Sequence, residues 1–563
     1  MKKNRKSNTN IDIFKILFMR SGGYFMDIAP PDAPMIGPPR SILYLAGAVK
    51  DMNNVETDFL DILANPDLKH IRDKNTKPPV YFGMKDSEII DYVKSYSPGC
   101  IAITCTANYF AKDTIKIINL IHRNFPDIII LIGGPDATND YQMYLEKAPG
   151  INAVIMKEGE ETFREIIDSL INSKQIFNIR GIAYKNNGKI KINPQRPYID
   201  DLDRYKCDYE VLDLEKYFNI NKEGFPSRLI FKSQGSHRSI DIVTSRGCQM
   251  NCSFCCIHLH MGKKVRAHSV QYVLDEMELL ITKYNVKNFH FEDDNLLFDP
   301  KRFKDILRGI KKKRWNITWD TPNGVRADLV DEEFLQLCRD TQCAYLIFGI
   351  ESGSKKVLDK IIKKDIDLKD IERACKLCYN YEIDTLGFFI FGLPGETKQD
   401  LLKTYYFAFD LFKKYSTTPI FQLWRPYKNT EMETNIRETE NISQPVIFSL
   451  HQNFEIPYSL FYSQVYEDDE ITIEFLSYYF KKYIRDGAKY AFLNWVKISR
   501  RKPLIFAHTV IQIIIIFSKS ILSPKRLKYR LQQYMVSPGI LPFAQLHRIG
   551  RKRNSHHYLN WKR

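Results

Sequence analysis

Ile240-Asp241-Ile242-Val243-Thr244-Ser245-Arg246-Gly247-Cys248-Gln249-Met250-Asn251-Cys252-Ser253-Phe254-Cys255 is the stretch on which the reading of this chain turns. Its first five residues are mostly apolar and β-branched, which predicts a strand over Ile240–Thr244. The three thiols that follow, spaced C-x3-C-x2-C, then lie on a loop just past the strand end. A tight loop turns such thiolates toward one point, which suits an iron–sulfur cluster better than a disulfide. A cube of four irons held by three cysteines leaves one iron open to another ligand. A zinc knuckle completed by Cys256, His258 or His260 is the competing reading. On the triplet alone both stand, with plain buried cysteines behind them.

Working outward toward the C-terminus, strand candidates alternate with amphipathic helices. After Ile240–Thr244 come Asn288–Glu292, Ile317–Thr321, Ala344–Ile350, Thr385–Phe391 and Ile420–Trp424. Helices are expected over Ser269–Lys283 with Ser269 as N-cap, from Asp299-Pro300 to Lys313, and over Leu368–Tyr381. Six βα units are too few for an eight-strand barrel and predict a partial one, over 236–435. In barrels of this kind chemistry sits at the carboxyl ends of the strands. Polar and glycine-bearing segments collect there: Glu292-Asp293-Asp294-Asn295, Asn323-Gly324-Val325-Arg326-Ala327-Asp328, Glu351-Ser352-Gly353 and Gly392-Leu393-Pro394-Gly395-Glu396. Taken one residue at a time, each is equally a helix-initiating or solvated turn. Cys375 and Cys378 share a helical pattern with Ala374 and Leu377 and read as core rather than a redox pair.

Toward the N-terminus a second alternation spans 12–180. Strands are expected at Phe14–Met19, Glu56–Leu60, Cys100–Thr104, Ile128–Ile132 and Ala153–Met156, with helices over Asp113–Asn124 and Glu161–Leu170. This predicts an α/β domain with a doubly wound parallel sheet, whose ligands bind beyond the carboxyl ends of the strands. Thr104, Gly133-Gly134-Pro135-Asp136 and Glu158-Gly159-Glu160-Glu161 fall there. A hairpin around Asn187-Gly188 opens a connector, 181–235.

Charge is unevenly placed. Of 83 Lys and Arg, sixteen lie in 487–563, where there is no Asp or Glu, so the remaining 67 match the 67 acidic residues of 1–486. The expected architecture therefore ends in a mainly helical, basic region, 436–563, with a helix at Tyr478–Tyr490. The apolar run Pro503–Phe517 is shorter than the roughly 20 residues of a spanning helix. Its basic flanks suit either a buried helix capping the barrel's open end or an in-plane segment on an anionic leaflet. No aromatic–basic repeat or zinc-finger spacing points to nucleic acid. Eleven cysteines and a basic start, Met1–Lys6, that lacks a secretory apolar core point to the cytoplasm, with peripheral contact at the inner face of the membrane as an addition.

With Phe254 just before the third cysteine and the later strand-end loops in place, the 236–435 segment resembles the radical S-adenosylmethionine (SAM) superfamily. The resemblance implies a [4Fe-4S] cluster on Cys248, Cys252 and Cys255 that cleaves SAM to a 5′-deoxyadenosyl radical. It also implies SAM contacts from Glu292, Asp293, Asp294, Asn323, Arg326, Glu351 and Gly392. The segments Pro38–Ala46, Ile103–Thr106, Gly133–Pro135 and Glu158–Phe163 resemble, in that order, the Rossmann-like cobalamin-binding domain fused to many such proteins. That likeness implies cobalamin held near Thr104, Gly133, Gly134, Glu158, Gly159 and Glu160. Two departures stand out: Arg20-Ser21-Gly22-Gly23 offers no axial histidine, and Asp136 stands where relatives often carry His. Lys428-Asn429 also breaks the relatives' P-Y-P-G-T pattern.

The family implication is cobalamin-dependent methyl transfer to an unactivated carbon, as in radical SAM methylases and the related anaerobic magnesium-protoporphyrin cyclase group. The implied partners are a small-molecule or lipid substrate and a reductant such as flavodoxin or ferredoxin. Radical cyclisation or rearrangement without methyl transfer is the alternative among enzymes. A non-catalytic cobalamin- or metal-sensing module is the alternative outside them.

Overall fold

The structure, a computed structural model, describes residues 13–25, 37–65, 80–107, 110–223, 237–424 and 426–439. The expectations for Met1–Lys6 and for the tail beyond residue 439 lie outside the described residues. Within them the chain divides into two compact units, one running up to residue 223 and including Leu259–Gly262, the other holding the remainder.

The first unit is built on the strands Phe14–Arg20 (β1), Gly23–Phe25 (β2), Val55–Asp61 (β3), Val80–Phe82 (β4), Cys100–Thr104 (β5), Ile129–Gly133 (β6), Ile151–Ile155 (β7), Ile182–Asn186 (β8) and Lys189–Ile192 (β9). Its main sheet has the order β3-β1-β5-β6-β7-β8-β9, parallel through β7 and antiparallel at β8 and β9. Ile16, Leu17, Phe18 and Met19 are all buried, as a strand covered on both faces requires. Taken in chain order, the five parallel strands lie 2-1-3-4-5, so the direction of winding reverses between β1 and β5. Doubly wound sheets leave a crevice for ligands at such a reversal. The expected hairpin forms with Asn187 and Gly188 both left-handed (φ 48° and 78°), and its strands extend this sheet.

The second unit holds Ser239–Ile242 (β10), Ser245–Arg246 (β11), Arg266–Ala267 (β12), Asn288–Phe291 (β13), Thr318–Val325 (β14), Cys343–Glu351 (β15), Thr385–Phe391 (β16) and Thr418–Leu423 (β17). Six of these form a parallel sheet in sequential order, β10-β13-β14-β15-β16-β17, the partial barrel that the alternation predicts. Phe291, Phe303 and Trp319 meet edge to face at 5.2–5.7 Å under the surrounding helices. Ser269 and Asp299 cap their helices as expected, accepting from the N–H groups of Tyr272 and Arg302. Cys375 and Cys378 are fully buried core residues.

Three local differences from the sequence expectation matter for the site. The first strand ends at Ile242, and Ser245–Arg246 pairs instead with Arg266–Ala267, closing the base of the cysteine loop. The third strand continues through Val325, since a bulge at left-handed Gly324 (φ 89°) lets Val325 pair with Phe348. Asn323 is therefore a strand residue rather than part of a following loop. Glu396 does not start the helix Lys398–Tyr415, which Thr397 and Asp400 cap reciprocally.

Candidate functional site

The cysteine loop leaves β11 and is held at four points. Asp294 Oδ2 accepts the Gly247 N–H at 2.8 Å, and His258 Nε2 lies 2.8 Å from the Cys248 carbonyl. Ser253 donates its N–H to the Ile362 carbonyl at 2.9 Å and its hydroxyl to that of Ile361 at 2.6 Å. Arg326 Nη1 lies 3.2 Å from the sulfur of Met250, between the first two cysteines. A loop fixed in this way presents its thiols without an ordering cost at the moment of binding.

Cys248, Cys252 and Cys255 are half-buried, free, and close enough to influence one another electrostatically. Burial pushes all three thiols up, Cys255 to about 12, while the Lys364 and Arg326 cations pull Cys248 and Cys252 back. Such thiols become thiolates when iron supplies the missing positive charge. Among the described residues no three Cys, His, Asp or Glu are grouped to hold one metal ion. His258, a candidate fourth zinc ligand, is engaged with a carbonyl. The three cysteines are themselves not grouped about one point in the structure; it is their chemistry, three soft sulfurs on a loop held at the strand ends, that fits a cluster with one open iron.

The strand-end residues sort into two groups. Asp293 is buried: it accepts the N–H of Thr244 at 3.1 Å and the hydroxyls of Thr244 and Ser245 at 2.8 and 2.5 Å. Asp293 and Asp294 therefore tie the loop after β13 to the end of β10. Desolvation raises Asp294 to about 6, against the pull of the Gly247 N–H. Arg326 grips Asp328 through two nitrogens (3.0 and 2.7 Å) and reaches the Asp365 carbonyl at 2.6 Å. Asn323 Nδ2 donates to the Glu292 carbonyl at 2.8 Å, with Asn323 exposed and Glu292 half-exposed.

Glu351 closes β15 in a left-handed conformation (φ 66°), where a non-glycine residue is strained. Its Oε1 accepts from Lys364 Nζ at 2.9 Å, and both residues are buried. Gly392 donates its N–H to Glu396 Oε2 at 2.7 Å. Burial raises that carboxyl to about 8, and its Oε1 is buried with no hydrogen-bond partner. Asn295, in the acidic strand-end segment, donates its Nδ2 to Gln249 of the loop; sequence reasoning missed Lys364 and Ser253. Lys364 follows Lys355, Lys356, Lys360 and Lys363, and nothing local distinguishes it from a solvated lysine run.

In the first unit Thr104 and Gly133 are register partners at the carboxyl edge, on strands next to the β1/β5 reversal. Thr104 Oγ1 lies 3.1 Å from Ser41 Oγ. Gly134 has φ 105°, and a Cβ there would stand 2.4 Å from the Cys105 carbonyl oxygen, so glycine is what lets this turn pack closely against the backbone at the end of β5. Gly159 precedes the helix Glu160–Ile171; Glu158, one residue before, accepts the Ile199 N–H at 2.8 Å. Asp136 accepts from the Tyr144 hydroxyl at 2.6 Å, which turns it toward the protein. At the end of β1, Arg20 is paired with Asp61 at 2.5 Å.

Comparison with known proteins agrees with both halves. Residues 242–408 match the radical SAM superfamily and residues 32–167 the B12 binding domain. An uncharacterized methyltransferase of Pyrococcus horikoshii is 31% identical over 399 residues, 70% of this chain and 78% of that protein. The cytidylyl-2-hydroxyethylphosphonate methyltransferase of Streptomyces wedmorensis is 28% identical, over 67% of this chain and 74% of its own. Among solved structures, the radical S-adenosylmethionine methyltransferase TsrM of Kitasatospora setae, with cobalamin and a [4Fe-4S] cluster bound, superposes with a TM-score of 0.60 at 21% identity. That superposition covers 76% of this chain and 78% of TsrM. At that identity the likeness speaks for the fold.

Proposed function

The chain belongs to the radical SAM superfamily, with a B12-binding domain ahead of its partial barrel, and from this we propose that it transfers a methyl group to an unactivated carbon of a small-molecule substrate. Its cofactors are a [4Fe-4S] cluster, SAM and cobalamin. The observation that carries the reading is the three-thiol loop at the end of the first barrel strand, in the same chain as a Rossmann-like sheet with the strand order 2-1-3-4-5. When bound, the cluster and SAM supply radical chemistry and cobalamin supplies a methyl carrier.

The chain's own residues hold and orient. Cys248, Cys252 and Cys255 take the cluster. Glu292, Asn323, Glu351 and Gly392, at the ends of neighbouring strands, offer carboxylate, amide and backbone groups to SAM. Asp293, Asp294 and Arg326 fix the loops that carry these groups, which keeps the reacting partners in one geometry. Thr104, Gly133, Glu158, Gly159 and Glu160 line the carboxyl edge that takes the corrin. A low-potential reductant such as flavodoxin or ferredoxin completes the reading. For the basic tail, contact with an anionic leaflet or a lipid substrate is a further part of it.

The test is anaerobic reconstitution with iron, sulfide and cobalamin, followed by incubation with SAM under a strong reductant. A brown protein with a corrin spectrum that forms 5′-deoxyadenosine and passes a labelled methyl group from SAM to its product supports the proposal. Cleavage of SAM with an unmethylated product would instead establish cyclisation or rearrangement. A loaded protein that leaves SAM intact would mark a sensing module.

A further inference from the structure

We propose that Asp113 is a cobalamin-binding residue whose carboxylate accepts a hydrogen bond from a neutral N–H or O–H donor of the bound corrinoid. The inference rests on the placement of cobalamin at the carboxyl edge of the first sheet. Asp113 stands in the first turn of the helix Ala111–Asn124, which follows β5. The residue is only 5% exposed, and its Oδ2 is buried with no hydrogen-bond partner among the described residues. A carboxylate oxygen withdrawn from water and given no donor is costly, and buried polar atoms are rarely left so unless a ligand completes them.

Three contacts place this turn at the reversal of winding between β1 and β5. Thr114 Oγ1 lies 2.9 Å from the hydroxyl oxygen of Ser21, the residue after β1. A Cβ on Gly23 would stand 2.5 Å from the Phe110 ring, so the chain leaving β1 packs directly on the residue that caps the helix. Lys116 Nζ donates to Asp86 Oδ1 at 2.8 Å, in the first turn of the helix Asp86–Tyr96 that leads into β5. Residues three and four apart share a helix face, so Asp113 lies on the flank of Lys116 and the buried Ile117. That flank is turned toward the sheet and the helix Asp86–Tyr96. Thr104, at the end of β5, is the register partner of Arg20 at the end of β1, and the reversal between such strands is where doubly wound sheets take their ligands.

The corrin rim carries primary amides and the nucleotide tail carries a ribose hydroxyl, and each is a neutral donor that an isolated carboxylate can accept from. Burial pushes the Asp113 carboxyl up to about 6, against the pull of Lys112 and Lys116, so it is largely ionised at neutral pH. An ionised acceptor makes the stronger kind of hydrogen bond.

The test titrates wild type, Asp113→Asn and Asp113→Leu, as full-length apoproteins, with cobalamin and with cobinamide, which lacks the nucleotide tail. Binding is read by absorbance, and urea unfolding of each apoprotein is measured alongside. Asp113→Leu should bind cobalamin about tenfold more weakly. Its urea midpoint should stay at or above that of wild type, because an unpaired buried carboxylate has been removed. Asp113→Asn, which keeps a carbonyl acceptor but no charge, should show an intermediate loss of affinity. Weakening toward both compounds assigns the donor to the corrin rim, and weakening toward cobalamin alone assigns it to the tail. If Asp113→Leu does not fold, Asp113→Asn decides. A folded variant with wild-type affinity for both compounds, or a loss of affinity accompanied by a lowered urea midpoint, overturns the inference. Wild type that binds neither compound overturns the placement of cobalamin itself, a separate outcome.

Discussion

The carboxylate of Asp293 accepts both the backbone N–H and the hydroxyl of Thr244, at 3.1 and 2.8 Å, across 49 residues of sequence. One side chain thereby locks the end of β10 to the loop after β13, at the root of the cysteine loop.

Asp293→Ala leaves a buried N–H and two hydroxyls without their acceptor. It should cost about 3 kcal/mol of stability. Denaturant unfolding of the apoprotein would show this as a lowered midpoint with an unchanged slope, and the variant should retain less iron after reconstitution. A midpoint equal to wild type would mean that the buried network is not holding the loop.

Removing a proposed cluster ligand separates fold from chemistry. Cys252 is a half-buried thiol at the end of the barrel rather than a core residue. Cys252→Ala should leave the circular dichroism spectrum unchanged while abolishing bound [4Fe-4S] cluster and 5′-deoxyadenosine formation. Retained SAM cleavage by this variant would refute the role of the triplet.

Gly134 tests the proposed corrin edge without touching the barrel's cysteines. At φ 105°, with 2.4 Å between a Cβ and the Cys105 carbonyl oxygen, Gly134→Ala must shift the backbone. A loss of about 2 kcal/mol is expected, together with weaker cobalamin binding in an absorbance titration. Cluster content should be unaffected.

Glu396 makes stability depend on pH. Burial raises its carboxyl from 4.5 to about 8. Between those values the folded state holds a proton that the unfolded chain has lost, so stability falls as pH rises through this window. Below 4.5 the contribution is fully present; above about 8 it is gone, a span on the order of 5 kcal/mol. Glu396→Gln, which resembles the protonated form, should flatten this slope in urea unfolding followed from pH 5 to 9.

Much of this molecule is legible in short stretches of sequence, because the forces involved act between near neighbours. Strand–helix periodicity located all six barrel strands, and the C-x3-C-x2-C spacing marked the three thiols. Ser269 and Asp299 announced their helices because a cap bonds only three residues away. The core character of Cys375 and Cys378 followed from their helical spacing.

What the tertiary structure alone decided is the division of labour among the charged residues around that opening stretch. Sequence grouped Asp293 and Asp294 with Glu292 as one acidic loop; the lateral pairing of β10 with β13 turns the two aspartates onto Thr244, Ser245 and Gly247. Lys364 was one of several lysines until the strained end of β15 brought Glu351 to it, 13 residues back in the chain. Ser253 gained its role from a turn 109 residues away. A carboxylate or an ammonium has no periodicity to betray its partner; strand order sets which loops meet, and desolvation at the meeting point makes the pairing matter.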